Sequence, residues 1–215
     1  MTDARIERLI TVGNVGAGSP GFPPEGLTLD NNVWLVGNDD QVIVVDAGHD
    51  AAAIEKAVAE REVLGILLTH GHEDHINAAR TAAAALDTHI YLHPADLFLW
   101  ELTHGDAMPD FELADRAVFG VAGTEVVTLH TPGHTPGSVC FALPGLGTVL
   151  TGDTLFQGGP GATRWDYSSF PDILSSIDGQ LFTLPESTRV LPGHGDETSI
   201  AREFPEMEAW RSRGW

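Results

Sequence analysis

Apolar residues in this chain gather in short runs separated by glycine, proline and acidic clusters. Residues 33–36 and 41–45 are β-branched or apolar, and the turn residues Gly37-Asn38-Asp39-Asp40 between them predict a hairpin. In residues 50–62, Ala53, Ile54, Ala57 and Val58 share one helical face and Asp50 stands at the N-cap position. Residues 63–68 read as a buried strand that ends in Thr69-His70, and the Ala-rich stretch 76–86 reads as a helix. A strand over 88–92 and a helix over 94–102, opened by Pro94, follow; 103–123 reads as irregular with a short helix. Strands are expected at 125–129, 138–143 and 148–150, with Pro144-Gly145-Leu146-Gly147 turning between the last two. Residues 170–181 read as a helix, 189–191 as a short strand, and 197–210 as a final helix that Pro205 kinks or restarts. Hairpins mixed with strand-helix-strand units predict an α/β (α+β) protein, a mixed-sheet sandwich flanked by helices rather than a doubly wound parallel sheet.

A length of 215 residues suits one domain spanning 1–215. The net charge of -20 repels phosphate backbones and anionic lipid heads, so neither nucleic acid nor a membrane surface is expected as a partner. Cys140, the only cysteine, sits in an apolar strand and reads as a small buried hydrophobe; no intrachain disulfide can form. The first residues alternate charge with small groups and hold no apolar signal core. A cytoplasmic protein, monomer or homodimer, is expected.

Residues 70 to 75 change the picture: His70-Gly71-His72-Glu73-Asp74-His75 mixes imidazole and carboxylate as zinc, iron or manganese sites do. His70 and His72 fall on one side of an extended loop while Asp74 and His75 face elsewhere, which suits two adjacent ions. Three later segments place a His or Asp beside glycine at a strand end: Pro132-Gly133-His134, Thr151-Gly152-Asp153 and Pro192-Gly193-His194. Glycine lets such loops approach one another closely. Of the other histidines, His89, His93, His104 and His130 read as surface or hydrogen-bonded residues, whereas His49 lies just past a strand end on the same edge.

These four segments, over about Asn31 to His194, resemble the metallo-β-lactamase-fold hydrolases and, within them, the glyoxalase II-like branch. The resemblance implies a four-layer αββα sandwich with its site at one edge of the two sheets. It implies that His70, His72 and His134 hold one metal, Asp74, His75 and His194 a second, and that Asp153 bridges them, with Asp46 supporting the site from behind the ligands. The implied cofactor is two divalent metal ions, zinc first, with iron or manganese as alternatives. Two such ions activate a shared water as the nucleophile, so no side-chain nucleophile is required. Asp74 and Asp153 are the catalytic candidates, Asp74 as a proton acceptor and donor.

The implied activity is hydrolysis of a thioester or related small acyl compound. The loop after Asp153 offers Arg164, Trp165 and Tyr167 as substrate-binding candidates, Arg164 for a substrate carboxylate. Glyoxalase II itself continues into a helical substrate-binding domain, whereas only 21 residues follow His194 here, which points to a different thiol carrier or to another acyl substrate altogether. The alternatives are a persulfide dioxygenase-like oxidoreductase with one iron on His70, His134 and Asp153, or a lactonase of the same fold.

Overall fold

The structure, a computed structural model, describes residues 4–17 and 23–214. Strands β1 (Arg5–Val15), β2 (Leu27–Gly37), β3 (Gln41–Val45), β4 (Glu62–Leu67), β5 (Ile90–Leu92) and β6 (Phe111–Glu112) form one sheet in sequence order. The β1–β2–β3 pairs are antiparallel and the remaining pairs parallel. Helices α1 (Ala51–Val58), α2 (Glu73–Ile76), α3 (Ala79–Leu86) and α4 (Leu97–His104) intervene. The second sheet uses β7 (Val118–Val121), β8 (Thr124–His130), β9 (Val139–Leu143) and β10 (Thr148–Gly152). After a small hairpin of β11 (Leu155–Phe156) and β12 (Gly159–Pro160) come α5 (Phe170–Ser176), then β13 (Arg189–Pro192) and β14 (Thr198–Ser199), which complete that sheet in the order β14-β13-β10-β9-β8-β7. Helices α6 (Ile200–Glu203) and α7 (Met207–Arg213) end the chain.

Strand alternation builds the layers. In β3, Val42 and Val44 face a cluster with Ile54 and Val58 of α1, Ala79 and Ala82 of α3, and Trp100 of α4. The intervening Ile43 and Val45 point into a second cluster with Val139, Phe141 and Leu143 of β9. Cys140 and Ala142 of β9 point the other way, onto Ile173 of α5 and Met207 and Trp210 of α7. Three apolar layers between two mixed sheets and their helices make the αββα sandwich that the sequence predicts. No helix among the described residues is long and apolar enough to cross a membrane.

Several boundaries differ for physical reasons. The predicted helix at 76–86 begins earlier, as α2 inside the histidine-rich run, and restarts as α3. Residues 103–123 hold two strands, β6 and β7, rather than a helix. Pro205 divides the final helix, placing a 3₁₀ turn over Phe204–Glu206 between α6 and α7. The predicted hairpin is present, with Trp34 opposite Val45 and Gly37 opposite Val42. β2, however, runs six residues earlier than predicted and pairs there with β1 alone, so a two-stranded ribbon projects past the sheet. Asp50 caps α1, its Oδ1 accepting from the Ala53 amide at 2.9 Å.

Candidate metal centre

β3, β4 and β5 run parallel, so the loops after β3 and β4 leave the same edge of their sheet. In the other sheet β8, β10 and β13 share one direction and deliver three more loops. Asp46 follows β3, His70 follows β4, His134 follows β8, Asp153 follows β10 and His194 follows β13. All seven residues expected as ligands converge here. His70, His72 and His134 form one set of mutually close donor atoms, His70, His75 and Asp153 a second, and Asp74, His75 and His194 a third. Gly193 shows why the loops are glycine-rich: a Cβ there would sit 2.6 Å from both Asp153 Oδ1 and His75 Cε1.

The outward nitrogen of each imidazole fixes what its inward nitrogen can be. His134 Nδ1 donates to the Ala162 carbonyl at 2.7 Å, His194 Nδ1 to the Asp30 carbonyl at 2.7 Å, and His75 Nδ1 to Asp46 Oδ2 at 2.8 Å. The Thr69 hydroxyl donates to Asp46 Oδ2 at 2.9 Å, which leaves its oxygen to accept from His70 Nδ1 at 3.0 Å. His72 Nε2 meets the Tyr167 hydroxyl at 2.9 Å. The inward nitrogens of His70 and His134 therefore point bare lone pairs at His72 Nδ1 across 3.1 and 2.9 Å. Asp153 Oδ1 is buried with no hydrogen-bond partner. Converging acceptors without a shared proton, and an orphaned buried carboxylate oxygen, are what a divalent cation resolves. The donor set fits the expected metal.

Proton affinities divide the cluster. Burial, the largest effect at each, lowers the pKa of His70 and His134 and takes His72 down to about 3, so these three are neutral imidazoles. At His75 and His194 burial works the same way, yet the charges of Asp74 and Asp153 outweigh it and raise both. Burial opposes ionisation of Asp74 and Asp153, but His75 and its neighbours hold both below the usual carboxylate range. Without an ion, protons on His75 and His194 supply the positive charge the carboxylates demand, and that is the place a metal takes. Asp153 Oδ2 lies 3.6 Å from both His134 Nε2 and His194 Nε2, between the two triads.

Asp46 stands where the resemblance implies, behind the cluster, with φ of 62°. Besides His75 and the Thr69 hydroxyl, it accepts the Thr69 amide at 2.8 Å. His49 sits behind Asp74: His49 Nε2 donates to Asn31 Oδ1 at 2.9 Å, and Asn31 Nδ2 donates to Asp74 Oδ2 at 3.1 Å. A further residue, Asp96, is not marked by any motif in the sequence. Its buried carboxylate accepts from the Gly71 amide at 2.8 Å, the Gly137 amide at 2.6 Å and the Thr135 hydroxyl at 2.6 Å. It thereby ties the loop carrying His70 and His72 to the loop carrying His134. Burial raises the Asp96 pKa against those three bonds.

A cavity of about 690 Å³ opens over the cluster. Arg164, Trp165 and Tyr167 all line it, as the sequence reading expects. Trp165 stacks parallel to Tyr167 and tilts over His72, with ring centroids 5.9 and 4.5 Å away, and the Arg164 guanidinium lies 4.8 Å above the Trp165 ring. Tyr167 is thus engaged with His72, while Arg164 is exposed.

The family model described as the metallo-beta-lactamase superfamily matches residues 27–194. A probable metallo-hydrolase, YqgX, of Bacillus subtilis is 36% identical over 80% of this chain and 88% of its own length. A hydroxyacylglutathione hydrolase, GloC, of Haemophilus influenzae is 31% identical over 80% of this chain and 89% of its own. Among solved structures, TTHA1623 in a di-iron-bound form is 32% identical, covers 82% of this chain and 93% of that one, and superposes with a TM-score of 0.73.

Proposed function

This chain belongs to the metallo-β-lactamase superfamily, and from that premise we propose that it is a hydrolase that uses two metal ions to cleave a thioester or related small acyl substrate. The observation that carries the reading is the set of seven inward-facing acceptors with Asp153 between the two triads. In this reading His70, His72 and His134 hold one ion, Asp74, His75 and His194 the other, and Asp153 touches both. Zinc suits the mixed imidazole and carboxylate donors, with iron or manganese as alternatives. We read residues 1–215 as one domain serving this site.

When bound, two divalent ions polarise a carbonyl and lower the pKa of a shared water to about 7. The residues of the chain do the rest. Asp46 and the carbonyls of Ala162 and Asp30 hold the imidazoles in the tautomers that leave the inward nitrogens bare. Asp74 lines the cavity as an ionised carboxylate, placed to take up a proton from the attacking water and return it as the carbonyl adduct collapses. A thiolate leaving group needs little acid assistance, and among the described residues no basic side chain other than Arg164 lines the cavity besides the imidazoles. Arg164 is placed to meet a carboxylate on the substrate, and Trp165 to cover it.

The mononuclear-iron alternative engages only His70, His134 and Asp153. It leaves His72 unused although its Nδ1 lies beside both His70 Nε2 and His134 Nε2, and leaves the Asp74, His75 and His194 set without an ion, so the geometry favours two. The hydroxyacylglutathione hydrolase activity in the name of the GloC relative supports thioester cleavage. The test is hydrolysis of a panel of acyl thioesters by metal-replete protein. Chelator-sensitive cleavage that is lost in Asp153→Ala is expected. An inactive wild type across thioesters, lactones and phosphodiesters refutes the reading.

A further inference from the structure

The walls of the cavity are chemically unequal. His72, Asp74, His134, Asp153 and His194 form its floor, and Arg164 and Trp165 line it beside His72. The ribbon of β1 and β2 and helix α4 line it with the apolar side chains Val15, Leu27, Leu29, Leu99 and Leu102, beside the polar Glu73 and Thr103. Leu102 is 81% exposed and Leu27 39%, although both flank a pocket rather than open solvent. A single exposed leucine needs no explanation. Apolar side chains from two separate elements lining one polar-floored cavity do.

The register of the ribbon sets a length scale. Thr11 pairs with Asn31, Gly13 with Leu29 and Val15 with Leu27, so Asn31, Leu29 and Leu27 share one face. Asn31 is fixed to the floor by its bond to Asp74 Oδ2. Leu29 then lies about 7 Å and Leu27 about 14 Å further out along the strand. A carbon chain of ~1.5 Å bonds advances roughly 1.3 Å per carbon when extended, so an acyl group of two or three carbons stops short of Leu29.

Resting on the hydrolase reading above, we propose that the acyl group of the substrate is apolar, an aliphatic or arylalkyl chain of about six carbons or more, seated along the inner face of the β1–β2 ribbon with Leu102 of α4 lining the same cavity. The acyl carbonyl lies over the floor and its chain runs outward past Leu29 to Leu27. A small hydroxyacyl group leaves Leu29, Leu27 and Leu102 wet.

The test is kcat/KM of metal-replete protein for N-acetylcysteamine thioesters from acetyl to octanoyl, with the lactoyl thioester alongside. Little change is expected from acetyl to butanoyl, followed by a rise of about fourfold per added methylene as the chain reaches Leu29. In Leu102→Glu and Leu29→Ser the octanoyl-to-acetyl ratio is expected to fall at least roughly tenfold. Leu102 is too exposed for its replacement to unfold the protein. A flat or falling chain-length profile, a preference for lactoyl, or an unchanged ratio in both variants overturns this inference and leaves the thioester reading standing. Failure to cleave any member of the series overturns the thioester reading and this inference with it.

Discussion

Replacing Asp46 by asparagine exchanges one oxygen for an NH₂ at the point from which two imidazoles are held. The carboxylate is 1% exposed and accepts three bonds, from His75 Nδ1 at 2.8 Å, the Thr69 hydroxyl at 2.9 Å and the Thr69 amide at 2.8 Å. An asparagine presents its NH₂ either to His75 and the hydroxyl or to the amide, and each orientation sets donor against donor. A hydrogen bond to a charged group contributes about 1.5–3 kcal/mol, and a buried donor left unpaired costs a similar amount. The less costly orientation therefore loses about 2–3 kcal/mol, which for a chain of this size lowers Tm by roughly 5–10 °C. Backbone strain adds little, because asparagine tolerates the φ of 62° at this position. With its negatively charged acceptor gone, His75 is free to change tautomer and ring orientation. Affinity for the ion at Asp74, His75 and His194 is then expected to drop about 10–100-fold. The three-histidine site, reached only through Thr69, changes less. Calorimetry of metal-free protein and titration against a chromophoric chelator measure the two effects. A Tm within roughly 2 °C of wild type, or equal losses at both sites, refutes the reasoning.

Asp96→Ala strands the buried donors of Gly71, Thr135 and Gly137. A destabilisation on the order of 3–5 kcal/mol in urea unfolding is expected, with weakened binding at the three-histidine site in the folded fraction. Gly193→Ala drives a methyl against Asp153 and His75, and a fall of about 100-fold in kcat is expected from the displaced groups, read in steady-state thioester assays. His93 stacks on His130 with centroids 4.2 Å apart, and burial foremost, with His130 adding, lowers its pKa to about 4. The unfolded chain binds that proton from its ordinary value of 6.5 downward, so stability falls as the pH drops from about 6.5 to about 4 and then levels. His93→Gln is expected to lose less stability than wild type between pH 7 and 4.5 in urea denaturation; an equal loss contradicts the assignment.

What was legible in the sequence follows from what a local pattern can encode. β3 and β9 are apolar at every buried position because both of their faces are covered, and such runs stand out. The four ligand segments were visible because each sits beside a glycine at a strand end, where loops must pass closely. The β1 strand was not visible: it pairs with β2 alone, and its Ile10 and Val12 are exposed, so no core demands a clean alternation. α2 escaped because one turn made of ligand-type residues carries no apolar period. Asp96 was silent for another reason. Its partners are two backbone amides and a hydroxyl from loops far along the chain, and nothing in Pro94-Ala95-Asp96 records them. The contact of the Tyr167 hydroxyl with His72 is likewise silent in the sequence, because the path of the loop after β12 sets it.

The central claim is that two ions share this site. Elemental analysis of protein saturated with zinc and then desalted tests it most directly. About two ions per chain are expected in the wild type and about one in His194→Ala, whose loss confines binding to the three-histidine set. A single ion per wild-type chain, unchanged in His194→Ala, contradicts it.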